Sequence, residues 1–163
     1  MKDLLKQYAS YNVWANQTIV TLLLSLPAET LHKEIQSSFR SLHLTLLHMY
    51  DVEQIWWQRM KLLERIQSIA RQNISTEDAA AGLINQSKQW EEWVDKNTLA
   101  GLEHVFAYQN LKGEPFKQPL YQMLLHLFNH QTYHRGQIVT MLRQAGFETI
   151  PSTDFITWSR RNR

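Results

Sequence analysis

Cysteine is absent from this 163-residue sequence. The absence excludes disulfide bonds, thiolate metal sites and a cysteine nucleophile, so any thiol chemistry must use an external thiol. The chain also lacks an apolar run near 18 residues and a signal-peptide pattern, from which we expect a cytoplasmic protein without a membrane partner. Internal repeats and low-complexity segments are missing as well.

A strong charge of either sign is missing too. The formal net charge is +2, which is too small to imply nucleic acid as a partner. We interpret the basic end, with Arg160, Arg161 and Arg163, as solvated. What remains is an ordinary globular composition with 44% hydrophobic residues, and a length that suits a single domain over residues 1–163.

Four stretches carry apolar residues at helical spacing. They predict helices over Lys2 to Leu24, Ser41 to about Ser68, Ser75 to about Asn97, and Pro119 to about Ala145–Gly146. Asn12 and Asn16, in the first helix, either share a polar face or point into a cavity, and plain solvent exposure is the alternative. The link over residues 27–40 is long and predicts a crossover with a short helical turn near Glu29. Four such helices predict an all-α four-helix bundle.

The helical spacing stops between the third and fourth predicted helices. Apolar residues on either side of Gly113, from about Glu103 to Lys117, predict a small β-hairpin. The turn, from Leu111 to Glu114, follows an asparagine and has the composition of a loop. We therefore expect the hairpin to be exposed and to lie outside the functional site.

Histidines interrupt the apolar stripe of the fourth predicted helix. His130 and His134 stand four residues apart, at positions where core residues belong. A buried polar atom without a partner costs about 1–3 kcal/mol, and a shared divalent metal would remove that cost because neutral imidazole is a good ligand. Core histidines bonded to neighbouring side chains are the alternative explanation. Gln131 stands where the metalloprotease motif HExxH carries its glutamate, which excludes that class of enzyme.

Two further histidines could complete a metal site. His126 precedes His130 by one turn, but it cannot easily share a metal with both His130 and His134, since it lies about 12 Å from His134 along the helix axis. The residues alone therefore permit either pair. His48, on the inner side of the second predicted helix, is the best candidate for a third ligand. Asp51 lies one turn after His48. Its two candidate roles are a catalytic base and an acceptor for an imidazole N–H.

Four segments together resemble the DinB-like superfamily, which is named for damage-inducible proteins and includes bacillithiol and mycothiol transferases. They are YNVWAN, SLHLTLLHMYDVEQIWW, HLFNHQTYHRGQI and PSTDFITW. The resemblance implies a four-helix bundle that holds one divalent metal through His48, His130 and His134. Nickel or zinc is implied first, with iron or manganese as alternatives. His126 matches a position that is not a ligand, and Tyr133 stands where many members have histidine.

The resemblance also implies a reaction. A subset of the superfamily adds a low-molecular-weight thiol, as co-substrate, to a small electrophilic molecule, and the family name connects it with a stress response. Three histidines leave a coordination position open, which is typical of catalytic metal sites. A metallohydrolase that uses metal-bound water and a non-catalytic metal-binding module are the alternatives. No residue is assigned as catalytic, and the sequence leaves a homodimer open.

Overall fold

Four long helices enclose the core in the computed structural model of the protein, which describes residues 1–63, 65–110 and 112–161. The long helices are α1 (Lys2–Leu24), α3 (Leu42–Met60), α4 (Thr76–Lys96) and α6 (Leu120–Gln144). The shorter elements are α2 (Ala28–His32), a 3₁₀ turn (Ile69–Arg71), α5 (Leu99–Glu103), strands β1 (Val105–Gln109) and β2 (Pro115–Pro119), and α7 (Phe155–Arg161). Within these ranges, no helix combines the length and the apolar character needed to cross a bilayer.

The predicted all-α bundle is confirmed, and so is the hairpin between its last two long helices. Strands β1 and β2 pair antiparallel, with Val105 opposite Pro119 and Gln109 opposite Pro115. The predicted helical turn near Glu29 is present as α2. The predictions for Leu111 in the hairpin turn and for Arg163 in the basic end lie outside the described residues.

The long helices are arranged in the cyclic order α1, α4, α3, α6. Side-chain pairs show that α1 is antiparallel to α4 and parallel to α6, whereas α3 is parallel to α4 and antiparallel to α6. The pairs are Lys6–Asp95, Asn16–Ser87, Tyr8–Phe128, Asn12–Arg135, His43–Thr76, Glu53–Ser87, Thr45–Met141 and Trp56–His126. The bundle therefore runs up-down-down-up. The first and third links cross its ends, since α1 lies diagonal to α3 and α4 diagonal to α6.

The predicted extension of the second long helix to about Ser68 is wrong, because α3 ends at Met60. Leu62 has a positive φ of 55°, which turns the chain out of the helix. The Gln58 side chain then holds the departing segment by bonding the backbone N–H and carbonyl of Gln67, at 2.8 and 2.9 Å. The longer link that results leads back along the bundle, which allows α4 to start parallel to α3.

The other helix ends follow their local sequence. The hydroxyl oxygens of Ser41 and Ser75 accept the backbone N–H groups of Leu44 and Asp78, so both serines are the expected N-caps. Gly146 has a φ of 94° and lies just beyond α6, where a left-handed residue commonly ends a helix.

A layer of polar side chains lies between the two larger apolar clusters of the core. One cluster contains Leu46 and Ile138, and the other contains Trp90 and Leu127. Every long helix contributes to the polar layer, and each contributing side chain is at most 1% exposed: Asn12, Asn16, Glu53, Gln86, Ser87, Gln131 and Arg135. The layer lies at the level of α6 that also carries His130 and His134.

Candidate metal centre

Three imidazoles converge between α3 and α6. His48 lies in the middle of α3, and His130 and His134 lie on successive turns of α6, which faces it. Nε2 of His130 is 3.3 Å from Nε2 of His48 and 3.1 Å from Nε2 of His134. One ligand atom from each ring falls within a group no more than 4.8 Å across. The fold therefore brings together the three histidines selected from the sequence and the family resemblance.

The contacts among the three rings leave part of their hydrogen-bonding capacity unused. Nδ1 of His134 lies 2.7 Å from Oε1 of Gln137 and must carry the proton, since a carbonyl oxygen only accepts. In the neutral ring this leaves a lone pair on Nε2, aimed at His130. Nδ1 of His130 is buried and bonds to no group in the described ranges. Three imidazole nitrogens within 4.8 Å of one another, one of them with its lone pair fixed, are a donor set that a divalent cation uses, so these residues fit one.

Burial keeps the three imidazoles neutral at physiological pH. It lowers the pKa of His48 to about 4, with further lowering by His134 and opposition from Asp51. It lowers the pKa of His130 to about 3, again with further lowering by His134. Burial also lowers the pKa of His134, although the bond to Gln137 raises it. Because metal ligation requires deprotonated nitrogens, these rings would bind a cation without releasing protons at pH 7.

Gln137 fixes the orientation of His134. Its amide nitrogen donates to the hydroxyl of Ser38, at 2.8 Å, and to that of Tyr133, at 3.1 Å, while its oxygen accepts from His134. An outer partner of this kind sets the tautomer and basicity of a ligating imidazole. Our sequence predictions did not single out Gln137, although its position one turn after His134 placed it on the same helix face.

Aromatic rings form the sides of the site. Phe39, from the link between α2 and α3, stacks on His48 with 4.0 Å between ring centroids and meets the edge of His134 at 5.7 Å. Tyr133 contacts His134 edge-on at 5.0 Å and is 59% exposed. The site is therefore screened on the side of the link and open to solvent beside Tyr133. Helical spacing could not predict the position of Phe39, because this residue lies in the link between α2 and α3 and not in a helix.

His126 lies outside the group of three. Its ring contacts His130 with 5.8 Å between centroids and Trp56 with 5.4 Å. The hairpin reaches the same place, because Tyr108 on β1 meets Trp56 at 5.0 Å. The turn residue Gly113 is exposed, as predicted. The strands, however, lie closer to the histidines than the sequence had led us to expect.

The two carboxylates that follow His48 in the sequence have other partners. Asp51 accepts the backbone N–H of Ile69 at 2.5 Å and the hydroxyl of Ser68 at 2.9 Å, so it holds the 3₁₀ turn against α3. Neither role considered for Asp51, a base or an acceptor for an imidazole N–H, is seen in these contacts. Glu53 belongs to the polar layer.

Two amides connect a carboxyl group with a guanidinium group in the polar layer. Asn12 donates to Oε1 of Glu53 at 3.0 Å and accepts from Arg135 at 3.0 Å. Asn16 makes the same two contacts at 3.5 and 2.7 Å. Burial raises the pKa of Glu53 to about 8, against the bonds from Ser87 and Asn12, which lower it. The two asparagines therefore share a polar face, as one of the predictions had it, and this face is buried in the bundle, so the alternative of plain exposure is wrong.

A cavity of about 810 Å³ lies between α1, the opposite face of α6 and the segment before α7. Tyr8, Gly136 and Phe155 are among the residues that line it, and the three histidines are not. Its size does not make it the reactive site, because its lining brings together no cluster of metal-ligating side chains.

The sequence is similar to those of a described protein family. The family model described as "DinB family" matches residues 1–161. Protein DinB from Bacillus subtilis (strain 168) is 33% identical over 166 residues, which cover 95% of this chain and 93% of that protein.

Two solved structures resemble the fold. YfiT from Bacillus subtilis, described as a probable metal-dependent hydrolase with an unusual four-helix bundle topology, has a TM-score of 0.73 at 14% identity and covers 91% of each chain. A DinB-like protein from Bacillus cereus ATCC 10987 has a TM-score of 0.64 at 24% identity, covering 85% of this chain and 89% of that one. At these identities the two structures support the fold alone.

Proposed function

Since the chain belongs to the DinB family, we propose that His48, His130 and His134 bind one divalent metal ion. Nickel or zinc is proposed first, with iron or manganese as alternatives. The convergence of three Nε2 atoms, one with its lone pair fixed by Gln137, is the observation that carries this proposal. Three histidine ligands leave a position for a substrate atom, as catalytic metal sites do.

We propose further that the protein is a transferase that joins a low-molecular-weight thiol to a small electrophilic molecule. A divalent ion, when bound, supplies the positive charge that holds a thiol in its deprotonated form near neutral pH. In the transfer, the thiolate sulfur forms a bond to the electrophilic carbon. The leaving group departs with the electron pair of its own bond, and the proton of the thiol goes to solvent. Without cysteine, the chain offers no thiol of its own to compete for the electrophile.

Residues around the histidines would orient the reactants. Gln137 keeps Nδ1 of His134 protonated, and therefore Nε2 available. Phe39 excludes water from one side of His48. The exposed side beside Tyr133 gives a substrate its way in.

A metallohydrolase is the second candidate, because YfiT is described as a probable metal-dependent hydrolase. Many metallohydrolases, including those with the HExxH motif, place a carboxylate beside the metal-bound water as a general base. Asp51 is occupied by the 3₁₀ turn, and Glu53 is enclosed in the polar layer. In the part of the chain that the structure describes, no carboxylate joins the ligand group formed by the three histidines. The lack of such a base among the described ligands weighs against hydrolases of that kind, and the transferase remains the first candidate.

Metal analysis tests the ligand set. Protein loaded with nickel or zinc and then dialysed should hold one metal per chain, and His48→Ala, His130→Ala and His134→Ala should each lose it. The matched control is His43→Gln, because His43 is also a buried histidine of α3 but bonds Thr76 at 2.9 Å. Full occupancy in any of the three alanine variants would exclude that residue as a ligand.

Turnover assays distinguish the reactions. The metal-loaded protein is mixed with a thiol and a fluorogenic alkylating agent, and separately with a chromogenic ester without thiol. Thiol-dependent product that disappears in His130→Ala supports the transferase. Ester hydrolysis without thiol supports the hydrolase. A stoichiometric metal with neither activity favours a non-catalytic metal-binding module.

A further inference from the structure

A guanidinium group that forms no ion pair with any acid of residues 1–63, 65–110 and 112–161 lies near the end of α3. Cζ of Arg59 is 4.7 Å from the ring centroid of Trp56 and 5.6 Å from that of Tyr108. Nε of Arg59 is buried and has no hydrogen-bond partner within residues 1–63, 65–110 and 112–161. The ion pairs among these residues involve other side chains. A partly buried guanidinium is normally paired with an acid, so one that has no acid partner among the described residues offers a place for an anion.

Arg59 lies on the same face of α3 as His48. The two are eleven residues apart, which is three turns and brings the side chains back to nearly the same direction. Helical side chains lean toward the N-terminus, so Arg59 leans over Trp56 toward the histidines. The Trp56 ring contacts His126 at 5.4 Å, and His126 contacts His130 at 5.8 Å. A continuous row of rings therefore connects the guanidinium with the candidate metal centre.

This row can be reached from solvent. His126 is exposed, and both Arg59 and His130 are partly exposed. Beside Arg59, a cavity of about 240 Å³ extends toward β1, with Tyr108 and Gln109 in its wall. Its remaining lining comes from Leu62, Leu63, Ile66 and Ala107, and not from His126 or Trp56, so it gives the guanidinium a second side that faces solvent.

We propose that Arg59, with His126 beside it, binds a carboxylate of the substrate whose reactive atom lies at the three histidines. This inference rests on the proposed function and names its substrate class. Trp56, over which the guanidinium lies, is eight residues from His48, or about 12 Å along the axis. The substrate is therefore a small molecule with a carboxylate about 10 Å from the atom that binds the metal.

A purely structural role for Arg59 gives a different expectation. As a cation–π partner of Trp56 and Tyr108, it would stabilise the contact between α3 and the hairpin without distinguishing among ligands. The two roles can be separated by comparing ligands that differ only in charge.

Matched thiols provide that comparison. The cobalt-loaded protein is titrated with mercaptopropionate, mercaptohexanoate and mercaptooctanoate, and with the three alcohols of the same chain lengths. Thiolate-to-cobalt charge-transfer absorption and calorimetry report binding without turnover. We expect the two longer acids to bind about 10- to 100-fold more tightly than their alcohols, as a charge-assisted hydrogen bond allows. Mercaptopropionate is too short to reach Arg59 and should show no such preference.

Three variants assign the preference to Arg59. Arg59→Met keeps the apolar stem over Trp56 and should abolish the preference for the longer acids. Arg59→Lys should retain part of it. Lys61→Met is the control, because Lys61 is an exposed cation over Trp57, at 5.1 Å, and its removal changes the net charge equally. The preference should survive in that variant.

Each result has a distinct meaning. Equal binding of the longer acids and alcohols to the wild-type protein would overturn the role of Arg59 and leave the proposed function standing. A preference that persists in Arg59→Met would overturn it as well. If no thiol changes the cobalt spectrum, the thiol chemistry of the proposed function and the role of Arg59 toward it both fail. The wild-type comparison needs no variant, so a misfolded Arg59→Met does not prevent a decision.

Discussion

Replacing Arg135 with methionine should remove a large part of the stability of the bundle. Its guanidinium donates to the amide oxygens of Asn12 and Asn16, at 3.0 and 2.7 Å, and to the hydroxyls of Tyr11 and Thr132, at 3.4 and 2.8 Å. Methionine fills much of the space but donates nothing, and both amides are 0% exposed. Each buried acceptor left without a donor costs about 1–3 kcal/mol. The two amides together therefore predict a loss of about 2–6 kcal/mol, against a usual total of about 5–15 kcal/mol.

Urea unfolding of the metal-free proteins measures this loss. Tryptophan fluorescence and far-ultraviolet circular dichroism should give the same transition, and a slope of about 2 kcal/mol per molar urea converts the loss into a midpoint lower by about 1–3 M. Arg143→Met is the matched control on the same helix. Arg143 is exposed and donates to the carbonyl of Glu148 at 2.7 Å, so its replacement should change the stability by less than about 0.5 kcal/mol.

An unchanged midpoint would refute this reasoning. If Arg135→Met unfolds at the same urea concentration as Arg143→Met, the amides of Asn12 and Asn16 are satisfied without the guanidinium. The polar layer would then contribute to the arrangement of the helices without contributing to the free energy of unfolding.

Three more variants test the site and the polar layer. Gln137→Leu should weaken zinc binding about 10- to 100-fold in chelator competition, because His134 loses the acceptor that sets its tautomer; unchanged affinity would show that another group sets it. His126→Gln should keep one metal per chain, and complete loss of the metal would mean that the pair on α6 is His126 with His130. Burial raises the pKa of Glu53 from 4.5 to about 8, so the folded state retains this proton more strongly and wild-type stability is lost as the pH rises across that interval. Glu53→Gln cannot ionise and should gain stability relative to the wild type between about pH 5 and pH 8 in urea unfolding; parallel pH dependence of the two proteins would contradict this.

The parts of the site within one helix could be predicted from the sequence. His130 and His134 stand on one helix face whatever surrounds them, because a four-residue step returns to nearly the same direction. His48 required knowledge of which helices are neighbours. The helical spacing around His48 indicated only that its side chain faces inward. The family resemblance indicated that it shares a site with His130 and His134.

The parts that depend on distant contacts could not be predicted. Apolar spacing continued beyond Met60, but the bonds between Gln58 and Gln67 and the positive φ of Leu62 end α3 earlier. The sequence likewise shows a polar residue in each long helix without showing that these residues meet. Glu53, for example, looks like an ordinary surface glutamate until the bundle encloses it.

The cyclic order of the helices also determines when the histidines can meet during folding. Of the consecutive long helices, α3 and α4 are neighbours, whereas α1 and α3, and likewise α4 and α6, lie on diagonals. His48 and His130 are 82 residues apart in the chain, and α6 is the last long helix to leave the ribosome. A nascent chain without α6 therefore has only one of the three imidazoles, so binding of the proposed metal would have to be a late event. Dependence on such distant contacts also slows folding.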